Sequence, residues 1–459
     1  MRLKELEVDV VIVGAGLAGL TAARKLVAQD VDVVVLEARN RVGGRTSTKQ
    51  TMDGTYVDLG GQWVGPTQDR IMALVDEVGV KTFKTYNEGN HLEYRSGKIT
   101  PYSGAFLTAD KEVAMDITEV LLQLSMMSEQ VPIDAPWKAP LAETWDSMTA
   151  ATWIEENVPS GPVRNWVTLM VRGIVCCEPK EISLLHFLFY IHSGGNLDKI
   201  ISVAKGAQES RLIGGAQVVS NRVAAELGER VILNSPVQQI IQNDEAIVVK
   251  SEHMCMKAKA AIIAIPPTLA NRIQYSPKLP AKRDQLMSRM PMGSVIKVQL
   301  TYSKPFWREN GLSGQVLSDK GPIQITFDNS PEDGNIGVLI GFIEGEDARI
   351  WWEKSVEERQ TGVLECLSVY FGNEVLTPND YIEQYWADEE FSRGCYAAFM
   401  PPGVWTSFGD VIRQPVGRIH WAGTETATKW YGYMDGAVES GERAASEVLE
   451  VISVFESQK

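Results

Sequence analysis

The stretch VDVVIVGAGLAGLTAARKLVAQDVDVVVLEARNRVGGRT, from Val8 to Thr46, decides the fold of this chain. An apolar, β-branched run leads into Gly14, Gly16 and Gly19, a helical stretch follows, and a second apolar run ends in Glu37. Glycines at these positions permit a tight turn, close approach of an anion to the amides at a helix N-terminus, and close packing of helix on strand. An acid 21 residues after Gly16 can hydrogen-bond ribose hydroxyls. The stretch therefore predicts a dinucleotide-binding βαβ unit.

The composition limits the classes of function that the chain can serve. It has 459 residues, 44% of them hydrophobic, which is enough for two domains with substantial cores. The formal net charge of −15 disfavours nucleic acid and anionic membranes as partners. Five scattered cysteines and five scattered histidines predict no disulfide framework, metal site or Ser/His/Asp triad.

The sequence also predicts the cellular compartment of the protein. No apolar run is long enough to span a bilayer, and a strand follows the N-terminal MRLKELE at once, without a signal peptide. The C-terminal EVLEVISVFESQK is too short and too charged to anchor a membrane. We therefore expect a cytoplasmic protein.

Further motifs indicate which dinucleotide binds. ARNRVGGRT follows Glu37 directly and suits a larger cofactor that is contacted again past its pyrophosphate. The segments DLGGQWVG (58–65), GRIHWAGTET (417–426) and GYMDGA (432–437) lie far apart in the chain. Together these motifs resemble the FAD-dependent amine oxidases, and most of all their monoamine oxidase branch, over nearly the whole chain. The resemblance implies an enzyme that uses FAD and oxygen to oxidise a monoamine to imine and aldehyde, with release of ammonia and hydrogen peroxide.

The resemblance implies an α/β (α+β) fold with a Rossmann-like FAD-binding domain and a substrate domain of mixed sheet and helices. Residues from about 82 to 210 are predicted to be mainly helical, because DITEVLLQLSMMSEQV has apolar spacing near 3.6. The later runs SVIKVQLTY, IQITFD and GVLIGFI are strand-like. Because the cofactor motifs lie at both ends, we assign the FAD-binding domain to 1–81, 211–286 and 389–459, and the substrate domain to 82–210 and 287–388.

The same resemblance implies the cofactor contacts. They are Gly14, Ala15, Gly16, Gly19, Glu37, Ala38, Arg39, Gly44, Arg45, Gly61, Gln62, Trp63, Val237, Trp386, Cys395, Gly423, Thr424, Glu425, Tyr433 and Met434. Cys395, in the motif SRGCY, matches the cysteine that forms a thioether to the flavin 8α carbon in monoamine oxidases. The alternative is a buried structural cysteine, and some soluble bacterial relatives without this cysteine bind FAD non-covalently.

Three residues are candidates for chemistry. Lys297 interrupts an apolar strand, and burying an ammonium is costly unless it is paired. It is either an ordinary edge-strand or snorkelling lysine, or the lysine that assists reaction of the reduced flavin with oxygen in the resembling family. Tyr396 and Tyr433 match the pair that sandwiches the amine there. Two aromatic faces attract an amine and exclude water without a formal charge that would hold the amine protonated.

The substrate is less well defined. Ile201, Gln208 and Phe342 match pocket residues of mammalian monoamine oxidases, with packing or a solvated loop as the alternative. Ile325 falls near the acid that diamine-oxidising relatives use, and its apolar character favours a monoamine, although the neighbouring Asp328 keeps a diamine open. A cyclic-amine or alkaloid oxidase is also compatible. An L-amino-acid oxidase would need an arginine clamp such as Arg172, and a flavin-bearing binding protein would lack turnover. The sequence does not decide the oligomeric state, and a homodimer is compatible with it, since dimers are common in this family.

Overall fold

The computed structural model describes residues 4–103, 108, 110–159 and 161–457. Its strands are β1 (Lys4–Glu7), β2 (Val10–Val13), β3 (Val33–Leu36), β4 (Thr48–Gln50), β5 (Tyr56–Asp58), β6 (Trp63–Val64), β7 (Thr82–Lys84), β8 (Asn90–Arg95), β9 (Lys98–Tyr102), β10 (Ser210–Leu212), β11 (Val231–Ile232), β12 (Val237–Gln242), β13 (Ile247–Ser251), β14 (Met254–Ala258), β15 (Ala260–Ile263), β16 (Gln274–Ser276), β17 (Val295–Tyr302), β18 (Leu312–Ser318), β19 (Ile325–Asp328), β20 (Gly337–Glu344), β21 (Asp380–Tyr385) and β22 (Ile419–Trp421).

The helices occupy the segments between and after these strands. They are α1 (Leu17–Val27), α2 (Asp69–Glu77), α3 (Lys111–Ser128), α4 (Ala142–Ser147), α5 (Ala150–Asn157), α6 (Gly161–Val175), α7 (Leu184–Ser193), α8 (Leu197–Ile201), α9 (Gln217–Leu227), α10 (Pro267–Ala270), α11 (Ala281–Ser288), α12 (Phe306–Glu309), α13 (Gly345–Trp352), α14 (Val356–Phe371), α15 (Val404–Phe408) and α16 (Met434–Ser457). Within the described ranges, no helix combines the length and apolar character needed to cross a bilayer.

A parallel sheet in the order β11-β3-β2-β15-β22 contains the N-terminal glycine motif. Strands β2, β3 and β15 are buried along their whole length, which explains their unbroken runs of Val, Ile and Ala. One face packs on α1, α2, α9 and α16. The other packs on a second sheet in the order β1-β14-β13-β12-β16. The predicted Rossmann-like architecture is therefore confirmed, and segments from both ends of the chain build it.

A seven-stranded sheet in the order β21-β17-β20-β19-β18-β8-β9 forms the second large element. The runs SVIKVQLTY, IQITFD and GVLIGFI form its strands β17, β19 and β20, as the sequence predicts. A helical core that contains Trp145, Trp166 and Phe187 lies beside it. The assignment of residues to two domains stays a prediction.

The prediction that residues 82 to 210 are mainly helical is wrong for residues 82–102, which form β7, β8 and β9. Strands β8 and β9 form a hairpin in which Arg95 pairs with Lys98. The two turn residues, Ser96 and Gly97, have positive φ of 50° and 83°. Such two-residue turns match the twist of paired strands. The hairpin adds the last two strands of the seven-stranded sheet, and helices dominate only from α3 onwards.

Candidate active site

Close-packed glycines surround one end of a cavity where β2 meets α1. Gly14 has a φ of +101°, and a Cβ there would lie 2.7 Å from the Cγ2 atom of Ile265. A Cβ on Gly19 would lie 2.0 Å from the carbonyl oxygen of Gly14. Gly16 precedes α1, and no side chain caps this helix end. A Cβ on Gly44 would lie 3.4 Å from the Cα atom of Gly16. This bare backbone at a helix N-terminus suits a pyrophosphate.

Glu37 organises the loop that follows β3. Its Oε2 atom accepts a hydrogen bond of 2.7 Å from the amide of Ala15, and Oε1 accepts one of 3.0 Å from the amide of Arg39. The guanidinium of Arg39 in turn donates to Glu389 and, at 2.9 Å, to the hydroxyl of Ser392. Glu37 and Arg39 both line the cavity. The acid therefore shapes the loop that lines this end of the cavity.

The cavity has a volume of about 1030 Å³ and reaches from these glycines to the seven-stranded sheet. Most of the residues predicted from the sequence line it. They are Gly14, Gly16, Glu37, Ala38, Arg39, Gly44, Arg45, Gly61, Gln62, Trp63, Ile201, Gln208, Val237, Lys297, Ile325, Phe342, Trp386, Cys395, Tyr396, Gly423, Thr424, Tyr433 and Met434. Ala15, Gly19 and Glu425 are not among the residues that line it. The FAD contacts themselves stay a prediction.

Arg45 and Glu425 fix the wall between the N-terminal and C-terminal motifs. The guanidinium donates to both carboxylate oxygens of Glu425, at 2.6 and 2.9 Å, and to the carbonyl oxygen of Tyr396 at 2.9 Å. Burial alone would raise the pKa of Glu425, but the charge and hydrogen bonds of Arg45 hold that pKa below its usual value. Of these two residues, Arg45 lines the cavity and Glu425 does not. Glu425 therefore contributes to the site by fixing the position of the Arg45 guanidinium.

Lys297 lies on β17, which pairs with β20 on one side and β21 on the other. The edge-strand alternative is therefore wrong. The Nζ atom donates to the carbonyl oxygen of Gly60 at 2.7 Å and to Oε1 of Gln62 at 2.6 Å, and it lies 5.9 Å from the centroid of the Trp63 ring. Burial lowers the pKa of Lys297 to about 7. The Lys297 amino group in the cavity wall can therefore exchange a proton near neutral pH.

Cys395 lines the same part of the cavity and is only 4% exposed. Burial raises the pKa of its thiol to about 12, against the opposing charges of Arg45 and Lys297. Trp386 packs in the same apolar cluster, and its indole donates to the carbonyl oxygen of Leu59 at 2.9 Å. Cys395 is thus both buried and part of the cavity wall, so burial and a cofactor contact are compatible.

Tyr396 and Tyr433 both line the cavity, next to further aromatic rings. The Tyr396 ring packs edge-to-face with Phe342 at 6.4 Å between centroids. The Tyr433 ring packs on Trp430 at 4.8 Å and near Tyr190 at 6.0 Å. Burial raises the pKa of both phenols, so they carry no charge at neutral pH. The sequence did not identify Tyr190, which also lines the cavity.

Four predicted pocket residues come from separate elements. Ile325 on β19 pairs with Phe342 on β20, so both belong to the seven-stranded sheet. Ile201 ends α8, and the side-chain amide of Gln208 donates to the carbonyl oxygen of Ile200 at 2.9 Å. All four line the cavity, whose substrate end therefore has mostly apolar walls.

The acid in this part of the cavity is Glu344, which the sequence did not identify. Asp328 does not line the cavity, because its carboxylate accepts from the indole of Trp307 at 2.8 Å and from the guanidinium of Arg308 at 2.7 and 2.9 Å. Glu344 does line it and accepts from the phenol of Tyr396 at 3.3 Å. The signal was available, since Glu344 follows Phe342 by two residues and so shares its face of β20.

Arg172 is absent from the cavity lining. Its Nε atom donates to Glu178 at 2.9 Å, and its Nη1 atom lies 3.4 Å from Oδ2 of Asp347. A guanidinium paired with two carboxylates outside the cavity cannot clamp a substrate carboxylate inside it. The arginine that an L-amino-acid oxidase would need is therefore not Arg172.

The chain is similar to known flavoproteins along almost its whole length. Residues 17–449 match the family model described as flavin containing amine oxidoreductase. A Dictyostelium discoideum protein named "Probable flavin-containing monoamine oxidase A" is 42% identical over 443 residues, covering 96% of this chain and 97% of that protein. The structure of putrescine oxidase bound to putrescine superposes with a TM-score of 0.94, at 34% identity, over 97% of this chain and 100% of that one. Cyclohexylamine oxidase from Brevibacterium oxydans has a TM-score of 0.94 at 33% identity, over 98% and 100%.

Proposed function

The chain belongs to the family of flavin-containing amine oxidoreductases, and we propose that Tyr396, Tyr433 and Lys297 perform its amine oxidation in the cavity described above. It is an FAD-dependent amine oxidase with monoamine oxidase homologues. The observation that carries the proposal is the single cavity that joins the glycines around Gly14 to the two tyrosines. Cofactor and substrate can then meet inside one cavity.

The residues present fit FAD. Gly14, Gly16 and Gly44 leave room for a pyrophosphate against the backbone at the start of α1. Glu37 lies where a ribose is expected, and Arg45 stands at the wall between the N- and C-terminal motifs. Bound FAD supplies the acceptor for the two electrons that leave the amine and passes them to oxygen, so that imine and hydrogen peroxide result.

Tyr396 and Tyr433 bind and orient the amine. Their neutral phenol rings present negative faces to the nitrogen and leave its lone pair free, whereas a carboxylate in contact with the nitrogen would keep it protonated. Phe342 and Ile325 enclose the apolar body of the substrate. The mostly apolar walls favour the neutral amine over the ammonium, because burying an unpaired charge is costly.

Lys297 assists the reaction with oxygen. Gly60 and Gln62 hold its Nζ atom in one place, and a pKa near 7 lets it carry or give up a proton at neutral pH. A fixed cation in a water-poor site stabilises negative charge that develops on oxygen far better than an ammonium in water does.

We also propose that Cys395 holds the cofactor covalently. Its Sγ atom would replace one hydrogen of the 8α methyl group, and that hydrogen, the thiol proton and two electrons would pass to oxygen as hydrogen peroxide. The position of Cys395 in the cavity wall, in the same apolar cluster as Trp386, supports this link. After acid precipitation, the yellow colour should stay with the protein pellet. Cys395→Ala should release it into the supernatant, while Cys177→Ala, at a buried cysteine away from the cavity, should not.

Oxidation of a cyclic amine is the second candidate. It is favoured by the likeness to cyclohexylamine oxidase and by the mostly apolar lining of the substrate end. A peroxide assay with benzylamine, cyclohexylamine, putrescine and phenylalanine tests both. Peroxide with benzylamine supports the main proposal, and peroxide with cyclohexylamine alone supports the alternative. Peroxide with phenylalanine alone would contradict both.

A further inference from the structure

Glu344 places one carboxylate in the wall of an otherwise mostly apolar end of the cavity. It ends β20, is only 9% exposed and lines the cavity together with Tyr396, Ile325 and Phe342. Its Oε1 atom accepts from the phenol of Tyr396 at 3.3 Å. The carboxylate therefore lies at the hydroxyl end of one of the two rings proposed to hold the amine, and not against the face of that ring.

The second carboxylate oxygen of Glu344 has no hydrogen-bond donor among the described residues. The residue precedes α13, but its side chain does not cap that helix. Arg172 exerts a favourable charge from outside the cavity, yet its own hydrogen bonds go to Glu178 and Asp347. Burial raises the pKa of Glu344 to about 7. A buried carboxylate without a bonded cation is energetically costly. A ligand that donates a hydrogen bond to the free oxygen of Glu344 would offset this cost.

Gly173 keeps space open beside this oxygen. It lies in the last turn of α6, where glycine is less favourable than alanine. A Cβ at Gly173 would lie 3.6 Å from Oε2 of Glu344 and 2.9 Å from the Cδ1 atom of Ile325. Gly173 also lines the cavity. A side chain here would occupy the volume in front of the free carboxylate oxygen.

We infer that Glu344 and Gly173 form a subsite for a second hydrogen-bond donor on the amine substrate. The inference rests on the proposed amine oxidation and names its substrate class: amines whose far end carries a hydroxyl or a second ammonium. The reacting nitrogen is bound at the tyrosine faces, while the far donor bonds to Oε2 of Glu344. Hydroxyl and ammonium share this donor chemistry and differ in charge, which lets an experiment distinguish them.

The test compares three amines with equal numbers of non-hydrogen atoms: pentan-1-amine, 4-aminobutan-1-ol and butane-1,4-diamine. The holoenzyme should have a higher kcat/KM for one or both donor-bearing amines than for pentan-1-amine. Glu344→Leu should lower kcat/KM for the preferred amine by about 10-fold or more, mainly through KM, because a hydrogen bond to a charged group is lost. Because Tyr396 loses its acceptor for all three amines alike, the decisive quantity is the ratio of kcat/KM for the preferred amine to that for pentan-1-amine, which should fall by about 10-fold.

Two further variants separate the sources of the effect. Glu344→Gln removes the charge but keeps an acceptor, so a preference for the diamine should disappear while a preference for the amino alcohol should remain. Gly173→Ala should raise KM for the preferred amine several-fold with the fold retained, since alanine favours the helix. Glu346→Gln, an exposed acid two residues away, is the matched control and should change nothing.

Turnover of pentan-1-amine with no donor preference overturns the inference and leaves the proposed function intact. A preference that survives in Glu344→Leu also overturns it. If the wild-type holoenzyme oxidises none of the three amines or of the earlier panel, the proposed function fails, and the inference fails with it.

Discussion

Replacing Lys297 by methionine removes the buried ammonium and keeps an unbranched side chain one atom shorter. Nζ of Lys297 now donates to Gly60 and Gln62, inside a strand with neighbours on both sides. Burial lowers its pKa from 10.5 to about 7. The unfolded chain therefore binds more protons than the folded chain between pH 7 and 10.5. The contribution of Lys297 to stability therefore rises with pH across this window and is lost as pH falls towards 7.

The size of this effect follows from the pKa difference. One pH unit inside the window is worth about 1.4 kcal/mol. Between pH 7.5 and 9.5, the wild-type protein should gain up to about 3 kcal/mol of unfolding free energy relative to Lys297→Met, which lacks the titrating group. At pH 7.5, Lys297→Met avoids the cost of a buried charge. It also leaves the acceptors of Gly60 and Gln62 without their donor, each at a cost of about 1–3 kcal/mol.

Urea denaturation of both holoenzymes in excess FAD, at pH 7.5, 8.5 and 9.5, measures this difference. Lys304→Met is the control, because Lys304 follows the same strand but is exposed and pairs with Glu309. Its difference from wild type should be independent of pH in this range. A wild-type advantage over Lys297→Met that stays constant or shrinks as pH rises would refute a lysine held at a lowered pKa.

The same variant separates the two halves of the catalytic cycle. Lys297→Met should slow the reaction of the reduced enzyme with oxygen more than the anaerobic reduction by amine, because the cation is assigned to the oxygen step. Stopped-flow traces of flavin absorbance measure both rates. Equal slowing of the two would remove Lys297 from the oxygen step.

Three other outcomes are expected. Gly14→Ala should weaken FAD binding by on the order of 10-fold or more, since its φ of +101° and a contact at 2.7 Å oppose a Cβ. Fluorescence titration of the apoprotein with FAD measures this affinity. Gly161→Ala is the control and should bind FAD normally, because a Cβ there meets no atom within 4 Å. Glu425→Gln should destabilise the holoenzyme by about 3–5 kcal/mol, because the Arg45 guanidinium loses the buried negative charge that pairs with it, and an unchanged urea midpoint would contradict this. Tyr433→Leu should raise KM for benzylamine well above the value for Tyr433→Phe, which keeps the ring; equal KM values would count against the aromatic cage.

The sequence predicted those parts of the fold that depend on local pattern. The glycine and β-branched runs around Gly14 require the parallel sheet, and the alternation in SVIKVQLTY requires a strand. The hairpin at residues 90–102 was missed because it is short and polar, although Ser96-Gly97 is a turn signal. The position of Lys297 between two strands was also unpredictable, since sheet order depends on long-range pairing.

The site was predicted unevenly for a related reason. Residues in long motifs, such as Cys395 and Tyr396, follow from the resemblance and line the cavity. Glu344 belongs to no such motif, and its role depends on its distance to Tyr396 and on the space that the adjacent Gly173 leaves beside its carboxylate. Contacts between β20 and α6 are set by tertiary packing, which the local sequence does not encode.

An anaerobic titration of the yellow holoenzyme with benzylamine, followed by admission of air, tests whether the protein oxidises an amine with its flavin. We expect the amine to bleach the flavin absorbance and air to restore it, with one hydrogen peroxide formed per aldehyde. A flavin that stays oxidised under excess amine, with benzylamine and with every other amine of the panel, would contradict it.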